Sequence, residues 1–85
     1  MKDYGQELEF ETKKWLERIE IKIQKIVEPN NKKGKEFLRN IKAYISDSKY
    51  FLKKGDLIKA FECVVWAWAW LEIGLNLGIL KENRQ

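Results

Sequence analysis

Few residues in this chain could carry out acid–base, nucleophilic or metal chemistry. Its 85 residues include one cysteine and no histidine, and histidine is the commonest general base and metal ligand. Ser–His and Cys–His nucleophile pairs are therefore impossible, and a structural zinc site is not expected. Cys63 falls in an apolar segment with no cation clearly placed to lower its pKa, so we interpret it as a packing residue.

Three carboxylates, Asp47, Glu62 and Glu72, could pair across helices and bind a metal ion. A carboxylate metal enzyme is therefore one hypothesis. However, helical metal centres use Glu-x-x-His motifs on facing helices, which this chain cannot form, and it has no glycine-rich phosphate loop. We interpret Glu62 and Glu72 as surface ion-pairing residues, and we expect no catalytic residue, no metal and no cofactor.

A cluster of basic residues offers a second possibility, which is nucleic-acid binding. The chain has a net charge of +4, and cations gather at Lys32, Lys33, Lys35, Arg39 and Lys42. Nucleic-acid binding usually requires a basic face with aromatic side chains or a recognised module. We favour a solvated loop and helix start, and keep a nucleic-acid-binding accessory protein as the alternative.

These residues are positioned by an apolar segment, Asp56 to Leu80, which contains three of the four tryptophans. Gly55 and Asp56 have the types expected of a helix C-terminus followed by an N-cap, and Gly78 provides a stop. The segment predicts a helix over about 56–77. Its longest uninterrupted apolar run is far shorter than the ~18–20 residues that cross a membrane, so we expect no membrane span.

Apolar residues of this helix fall on two faces at about 100° per residue. The first face has the spacing of a bundle core and comprises Leu57, Ala60, Phe61, Val64, Ala67, Trp68, Leu71 and Leu75. The second comprises Trp66, Trp70, Ile73 and Leu77. Tryptophan is enriched where interfaces derive their binding energy. The second face is therefore predicted to contact another chain, unless helix one or the N-terminal segment buries it.

Two further amphipathic helices are predicted, over about 4–28 and 33–54. Pro29 ends the first, and the polar tail from Lys81 to Gln85 is expected to fray. Phe10 and Ile21 lie opposite the core face of helix one, where they could extend the second face of helix three. The expected fold is all-α, a single domain over 1–85 that forms a three-helix up-and-down antiparallel bundle.

The segment from residue 44 to 80 resembles the small archaeal DUF357 family, a domain of unknown function. The matching residues are Tyr44, Asp47, Tyr50, Phe51, Lys54, Gly55, Asp56, Ala60, Ala67, Trp70, Leu71, Glu72, Gly74, Leu77, Gly78 and Leu80. Ser48, Trp66, Ala69 and the acidic type at Glu72 depart from the family pattern. The resemblance implies a three-helix bundle in an archaeal cytoplasm, with no activity or catalytic residue to transfer.

The Lys-Gly-Asp connection between two helices also resembles helical hairpins of the HEPN and tetratricopeptide groups. HEPN ribonucleases rely on an Arg-x-x-x-x-His motif that this chain lacks, which leaves only a non-catalytic accessory role. Without a secretory signal segment, and with one unpaired cysteine, the chain is expected in the cytoplasm. The main prediction is a non-enzymatic interaction module that self-associates or docks a protein through Trp66, Trp70, Ile73 and Leu77, extended by Phe10 and Ile21.

Overall fold

Three α-helices form the architecture of the protein in a computed structural model that describes residues 3–83. The helices are α1 (Tyr4–Ile23), α2 (Lys32–Lys54) and α3 (Leu57–Asn76). α1 and α3 run in the same direction and α2 runs opposite to both, which confirms the predicted all-α, up-and-down three-helix bundle. α3 packs against α2 along its length and against α1, whereas α1 and α2 touch each other at few positions.

Each helix begins at the polar residue that the sequence places before it. Asp3 Oδ1 accepts the backbone N–H of Gln6 at 3.1 Å, and Asp56 Oδ1 accepts that of Lys59 at 3.2 Å. Asn31 serves α2 in the same way. Gly55 ends α2 in the left-handed region at φ 80°, so the predicted Gly55–Asp56 boundary is confirmed.

The core lies on the faces of α2 and α3 that meet, with α1 closing one side. Its buried apolar side chains are Leu16, Ile19, Leu38, Ile41, Ile45, Val64, Ala67, Leu71 and Leu80. Ser48 is buried as well, and its hydroxyl donates to the Ala60 carbonyl of α3 at 2.7 Å. This hydrogen bond satisfies the one polar side chain that α2 buries against α3 within residues 3–83.

The prediction that helix one continues to Glu28 was wrong, because α1 ends at Ile23. The chain beyond it pairs with the C-terminal segment instead. Val27 N–H donates to the Lys81 carbonyl at 2.8 Å, and Asn83 N–H donates to the Lys25 carbonyl at 2.6 Å. Once the backbone groups of this segment have partners outside α1, an extended conformation leading to Pro29 replaces further helical turns.

The expected fraying of the C-terminal tail is contradicted for residues 81–83 by the same pairing, which includes an isolated antiparallel bridge between Ile26 and Glu82. The other two residues of the predicted frayed tail, Arg84 and Gln85, lie outside the described residues. Leu80 folds back so that its N–H donates to the Gly74 carbonyl at 3.0 Å, and its side chain is buried. A Cβ at Gly74 would lie 2.8 Å from Leu80 Cδ1, so a larger residue there would force the buried Leu80 side chain to shift.

Candidate functional site

The outer face of α3 exposes a group of apolar side chains that we call the α3 surface. It comprises Val65, Trp66, Ala69, Ile73 and Leu77. Their spacing of three and four residues places them together on the side of the helix away from the core. Val65 is 47% exposed, Trp66 56%, Ile73 48% and Leu77 69%, and Ala69 is half-buried at the centre. Four large apolar side chains therefore meet solvent on one helix.

Aromatic pairs between α2 and α3 border this surface on one side. The rings of Trp66 and Tyr44 stack with centroids 6.5 Å apart. One turn further along α3, the Trp70 ring meets Phe37 edge to face at 4.8 Å. Stacked and edge-to-face contacts both favour particular ring orientations and add to the energy of burial. Trp66 is thus held in place while most of its area remains exposed.

Trp68, which the sequence analysis placed on the core face of helix three, forms a second border between α1 and α3 together with Trp15 of α1. Their rings meet edge to face at 5.7 Å, and the Trp68 indole N–H donates to the Trp15 carbonyl at 3.1 Å. Both are half-buried rather than enclosed. Beside them, an open cleft of about 320 Å³ is lined by Trp15, Phe61, Val64, Val65, Trp68 and Glu72.

The electrostatics of the α3 surface are those of an apolar face with two carboxylates. The sequence contains no lysine or arginine between Lys59 and Lys81. Glu62 and Glu72 are exposed and form no ion pair or hydrogen bond within residues 3–83, which differs from their interpretation as ion-pairing residues. Burial, reinforced by the carboxylates of Asp47 and Glu62, raises the pKa of the Cys63 thiol. In the part of the chain that the structure describes, no three histidine, cysteine or acidic side chains are grouped to hold a metal ion.

The structure separates the six predicted partner-binding residues into three environments. Trp66, Ile73 and Leu77 are exposed together on the α3 surface, whereas Trp70 is half-buried and packs against the core. Phe10 and Ile21 are exposed on the side of α1 that faces away from the bundle, and they do not extend the α3 surface.

Charged residues of α1 lie between Phe10 and the aromatic rings that border α3. The Lys14 ammonium lies 5.8 Å from the Phe10 ring and 5.5 Å from the Trp15 ring, and Arg18 lies 4.9 Å from Trp15. Lys14 also pairs with Glu11 at 3.0 Å, and this hydrogen bond, aided by the Trp15 indole, lowers the pKa of Glu11. Lys14 and Arg18 therefore separate Phe10 from the aromatic rings that border the α3 surface.

Sequence reasoning missed Val65 and Ala69 as members of the α3 surface. Neither residue belongs to the series 66, 70, 73 and 77, and the prediction assumed that this series alone formed the exposed face of the helix. The signal was available in the spacing: Val65, Ala69 and Ile73 follow each other at four residues, opposite Ala60, Ala67 and Leu71. Because α1 covers only one side of α3, the exposed part of the α3 circumference is wider than the predicted face.

The predicted basic cluster is exposed, but only part of it shares a face. Lys32, Lys35, Arg39 and Lys42 recur at three and four residues, so they align along α2, and Lys53 continues their line. Lys33 lies about 140° around the helix from them.

Among residues 3–83, no helix combines the length and the apolar character that crossing a membrane requires.

Comparison with known proteins agrees with this architecture. The model of DUF357, described as a protein of unknown function, matches residues 11–80. A crystal structure of a DUF357 protein from Archaeoglobus fulgidus is 60% identical in sequence and superposes with a TM-score of 0.86, covering 95% of this chain and 100% of that one. No curated protein matches the chain. The family match extends over most of the chain, and the Archaeoglobus protein shares its fold at 60% identity. The chain therefore belongs to the DUF357 family.

Proposed function

We propose that this protein is a non-enzymatic helical module that self-associates through the α3 surface. The observation that carries the proposal is the exposure of Val65, Trp66, Ile73 and Leu77 side by side on one helix. Single exposed apolar residues are normal, whereas a contiguous apolar patch with a polar rim is typical of an interface. Here Glu62 and Glu72 supply the polar groups.

Trp66 supports the proposal because it has the features of an interface anchor. Its ring is large, it keeps more than half of its area exposed, and its orientation is fixed by stacking on Tyr44. A side chain already held in one orientation loses little conformational entropy when a partner covers it. Tryptophan and tyrosine are also enriched among the residues that contribute most to binding energy.

A role without catalysis agrees with the low reactivity of Cys63, the one cysteine of the chain. The thiol of Cys63 is half-buried, and its raised pKa keeps it protonated, which is the unreactive form. An unpaired cysteine of this kind suits a reducing compartment, so we propose the cytoplasm as its location.

The experiment compares the molar mass of the unmodified protein with that of three variants by sedimentation velocity across a range of concentrations. In Trp66→Lys and Ile73→Lys, a charge placed on the α3 surface is expected to abolish association while the helical circular dichroism is kept. Phe10→Lys is the matched control, because it replaces an exposed apolar residue by lysine on α1, away from the α3 surface. Loss of association in Phe10→Lys, or its persistence in both α3 variants, would contradict the proposal.

Nucleic-acid binding is the second candidate function, and the alignment of cations along α2 favours it. The eight basic and two acidic residues of α2 give it a net charge of +6, so the rest of the chain carries −2. Lys32, Lys35, Arg39 and Lys42 form no ion pair within residues 3–83. Together they present a line of free cations about 15 Å long, a length that could follow a phosphate backbone.

The test of this second candidate is fluorescence anisotropy with labelled single-stranded and duplex oligonucleotides. Binding is expected at low salt and should weaken steeply as salt rises. Arg39→Glu should weaken it more than Lys33→Glu, which changes a neighbouring cation off the line. If no oligonucleotide binds at low salt, or if the two variants behave alike, the candidate fails.

A further inference from the structure

The outward side of α2 carries an exposed tyrosine among its cations. Tyr50 follows Arg39 by eleven residues, and eleven steps of about 100° return to within about 20° of the same direction around the helix. Tyr50 is 55% exposed. From this placement we infer that the basic side of α2 binds single-stranded nucleic acid, with one unpaired base stacked on the Tyr50 ring. The inference rests on the second candidate function proposed above and names its ligand.

All cations of α2 except Lys33 share one side of the helix along its whole length. This side, which we call the α2 face, points away from the buried residues Leu38, Ile41 and Ser48. Its first and last cations are 22 residues apart, which is about 33 Å of helix. The cations of the α2 face are Lys32, Lys35, Arg39, Lys42, Lys49, Lys53 and Lys54, all exposed. Such a row offers contacts to several phosphates of one strand.

Most of these cations have no acidic partner in the protein. Lys49 pairs with Glu20 of α1 at 2.5 Å, whereas the other six form no ion pair within residues 3–83. The two acidic residues of α2 lie to one side of the row. Glu36 is about 60° and Asp47 about 80° around the helix from Arg39. A polyanion on the α2 face therefore meets an excess of unpaired positive charge, and its binding releases counterions.

The surroundings of Tyr50 leave its ring open to a base. Side chains of a helix lean toward its N-terminus, over the residue four positions earlier, and for Tyr50 that residue is the small, exposed Ser46. The Phe51 ring meets the Tyr50 ring edge to face with centroids 5.3 Å apart, a contact that favours one ring orientation. The Lys54 ammonium lies 5.6 Å from the centre of the Tyr50 ring. Lys54 therefore places a cation where the phosphate of a stacked nucleotide needs one.

Stacking is what selects a single strand over a duplex. Bases of a duplex are already paired and stacked, so a ring on a helix surface reaches a base face only after that base leaves the stack. In a single strand the base faces are open. A positive surface combined with aromatic rings is the usual means by which proteins bind single strands without sequence preference. Cations alone would bind both forms through phosphates, and Tyr50 adds the preference for the unpaired one.

Fluorescence anisotropy at low salt tests the stacking role, with a labelled single strand of about 12 nucleotides and its matched duplex. Tyr50→Ala should weaken single-strand binding at least about fivefold and duplex binding less than about twofold. Tyr50→Phe keeps the ring and should retain the affinity. Tyr4→Ala is the matched control, because it removes a tyrosine that is 73% exposed on α1. Equal losses for single strand and duplex, or equal effects of Tyr50→Ala and Tyr4→Ala, overturn the inference.

Photochemical cross-linking locates the stacked base directly. A single strand that carries iodouracil is irradiated on the unmodified protein, and mass spectrometry of the digested complex identifies the cross-linked residue. The expected residue is Tyr50. Trp66 is the strongest competitor, because its ring is 56% exposed on the α3 surface. A cross-link at Trp66 in place of Tyr50 would put the strand on α3 and overturn the inference.

The inference and the candidate function beneath it fail in different ways. If no oligonucleotide binds at low salt, nucleic-acid binding itself is wrong, and the role of Tyr50 is wrong with it. If single strands bind and Arg39→Glu weakens them, but Tyr50→Ala does not, nucleic-acid binding stands and stacking on Tyr50 is wrong. Binding to vesicles of anionic phospholipid without binding to any oligonucleotide would assign the α2 face to a membrane surface and also overturn the inference.

Discussion

Trp66 and Trp70 are one helical turn apart on α3, yet they lie in different environments. Trp70 is half-buried, and its ring packs on Phe37 beside the core, whereas Trp66 is mostly exposed and rests on Tyr44. Truncating Trp70 to alanine should therefore lower the free energy of unfolding by about 2 kcal/mol. Trp66→Ala should lower it by no more than about 1 kcal/mol. Urea unfolding at a concentration too low for association measures both; equal losses would contradict the assignment.

Cys63 provides a second prediction for a single residue. Burial, together with the carboxylates of Asp47 and Glu62, raises the pKa of its thiol, so the reactive thiolate is scarcer in the folded chain than in the unfolded chain. Alkylation by iodoacetamide at pH 8 should therefore be slower in the folded protein than in urea. The gap should narrow as pH rises through the raised pKa. Equal rates at pH 8 would contradict this environment.

The thiol also links pH to stability, and the direction follows from the raised pKa. Because the folded pKa lies above the unfolded one, the folded state holds its proton more tightly. This contribution to stability is complete below the unfolded pKa and is lost as pH rises through the folded pKa. Cys63→Ala should therefore be less sensitive to alkaline pH than the unmodified chain, as measured by thermal unfolding at pH 7 and pH 10.

At the level of the helices, the end of α3 depends on the absence of a side chain at Gly74. A Cβ there would lie 2.8 Å from Leu80 Cδ1 and 3.2 Å from Phe37 Cδ2. Gly74→Ala should lower the free energy of unfolding by about 1–2 kcal/mol, even after the roughly 1 kcal/mol that alanine gains in helix propensity. Gly5→Ala is the control, since its nearest side-chain neighbour is the exposed Asp3 at 3.3 Å. Equal effects of the two changes in thermal unfolding would contradict this packing.

The helices themselves could be predicted from local signals. Asp3, Gly55 and Asp56 mark boundaries through their own chemistry, so the starts of α1 and α3 and the end of α2 were placed within about a residue. The end of α1 could not be placed this way, because it depends on hydrogen bonds between residues 25–27 and 81–83, which are distant in sequence. Local pattern contains no information on that pairing.

The candidate site was predicted in part, for a similar reason. Spacing alone identifies Trp66, Ile73 and Leu77 as lying away from the core face of α3. Whether each is exposed depends on how far α1 and α2 wrap around the helix, which is a property of the packed molecule. Trp70 was assigned to the surface because the sequence does not show that Phe37, 33 residues earlier in the chain, packs on its ring.

At the scale of the whole molecule, α2 and α3 expose surfaces of different character, one basic and one apolar. α2 carries more positive charge than the whole chain, while the exposed side of α3 beyond Lys59 carries two carboxylates and no cation. α1 covers one flank of α3 and leaves its outer face open. An 85-residue chain buries a modest share of its surface, so covering that face with a second copy would add stability that the single bundle lacks.

The most direct test of self-association is the molar mass of the unmodified protein, measured by light scattering after size-exclusion chromatography over a wide range of loading concentrations. The proposal predicts a mass that rises with concentration toward twice the 10.2 kDa of one chain. It also predicts that tryptophan fluorescence, to which the exposed Trp66 contributes, becomes less accessible to iodide over the same range. A mass of 10.2 kDa at every concentration would contradict self-association and leave the α3 surface free for a different protein.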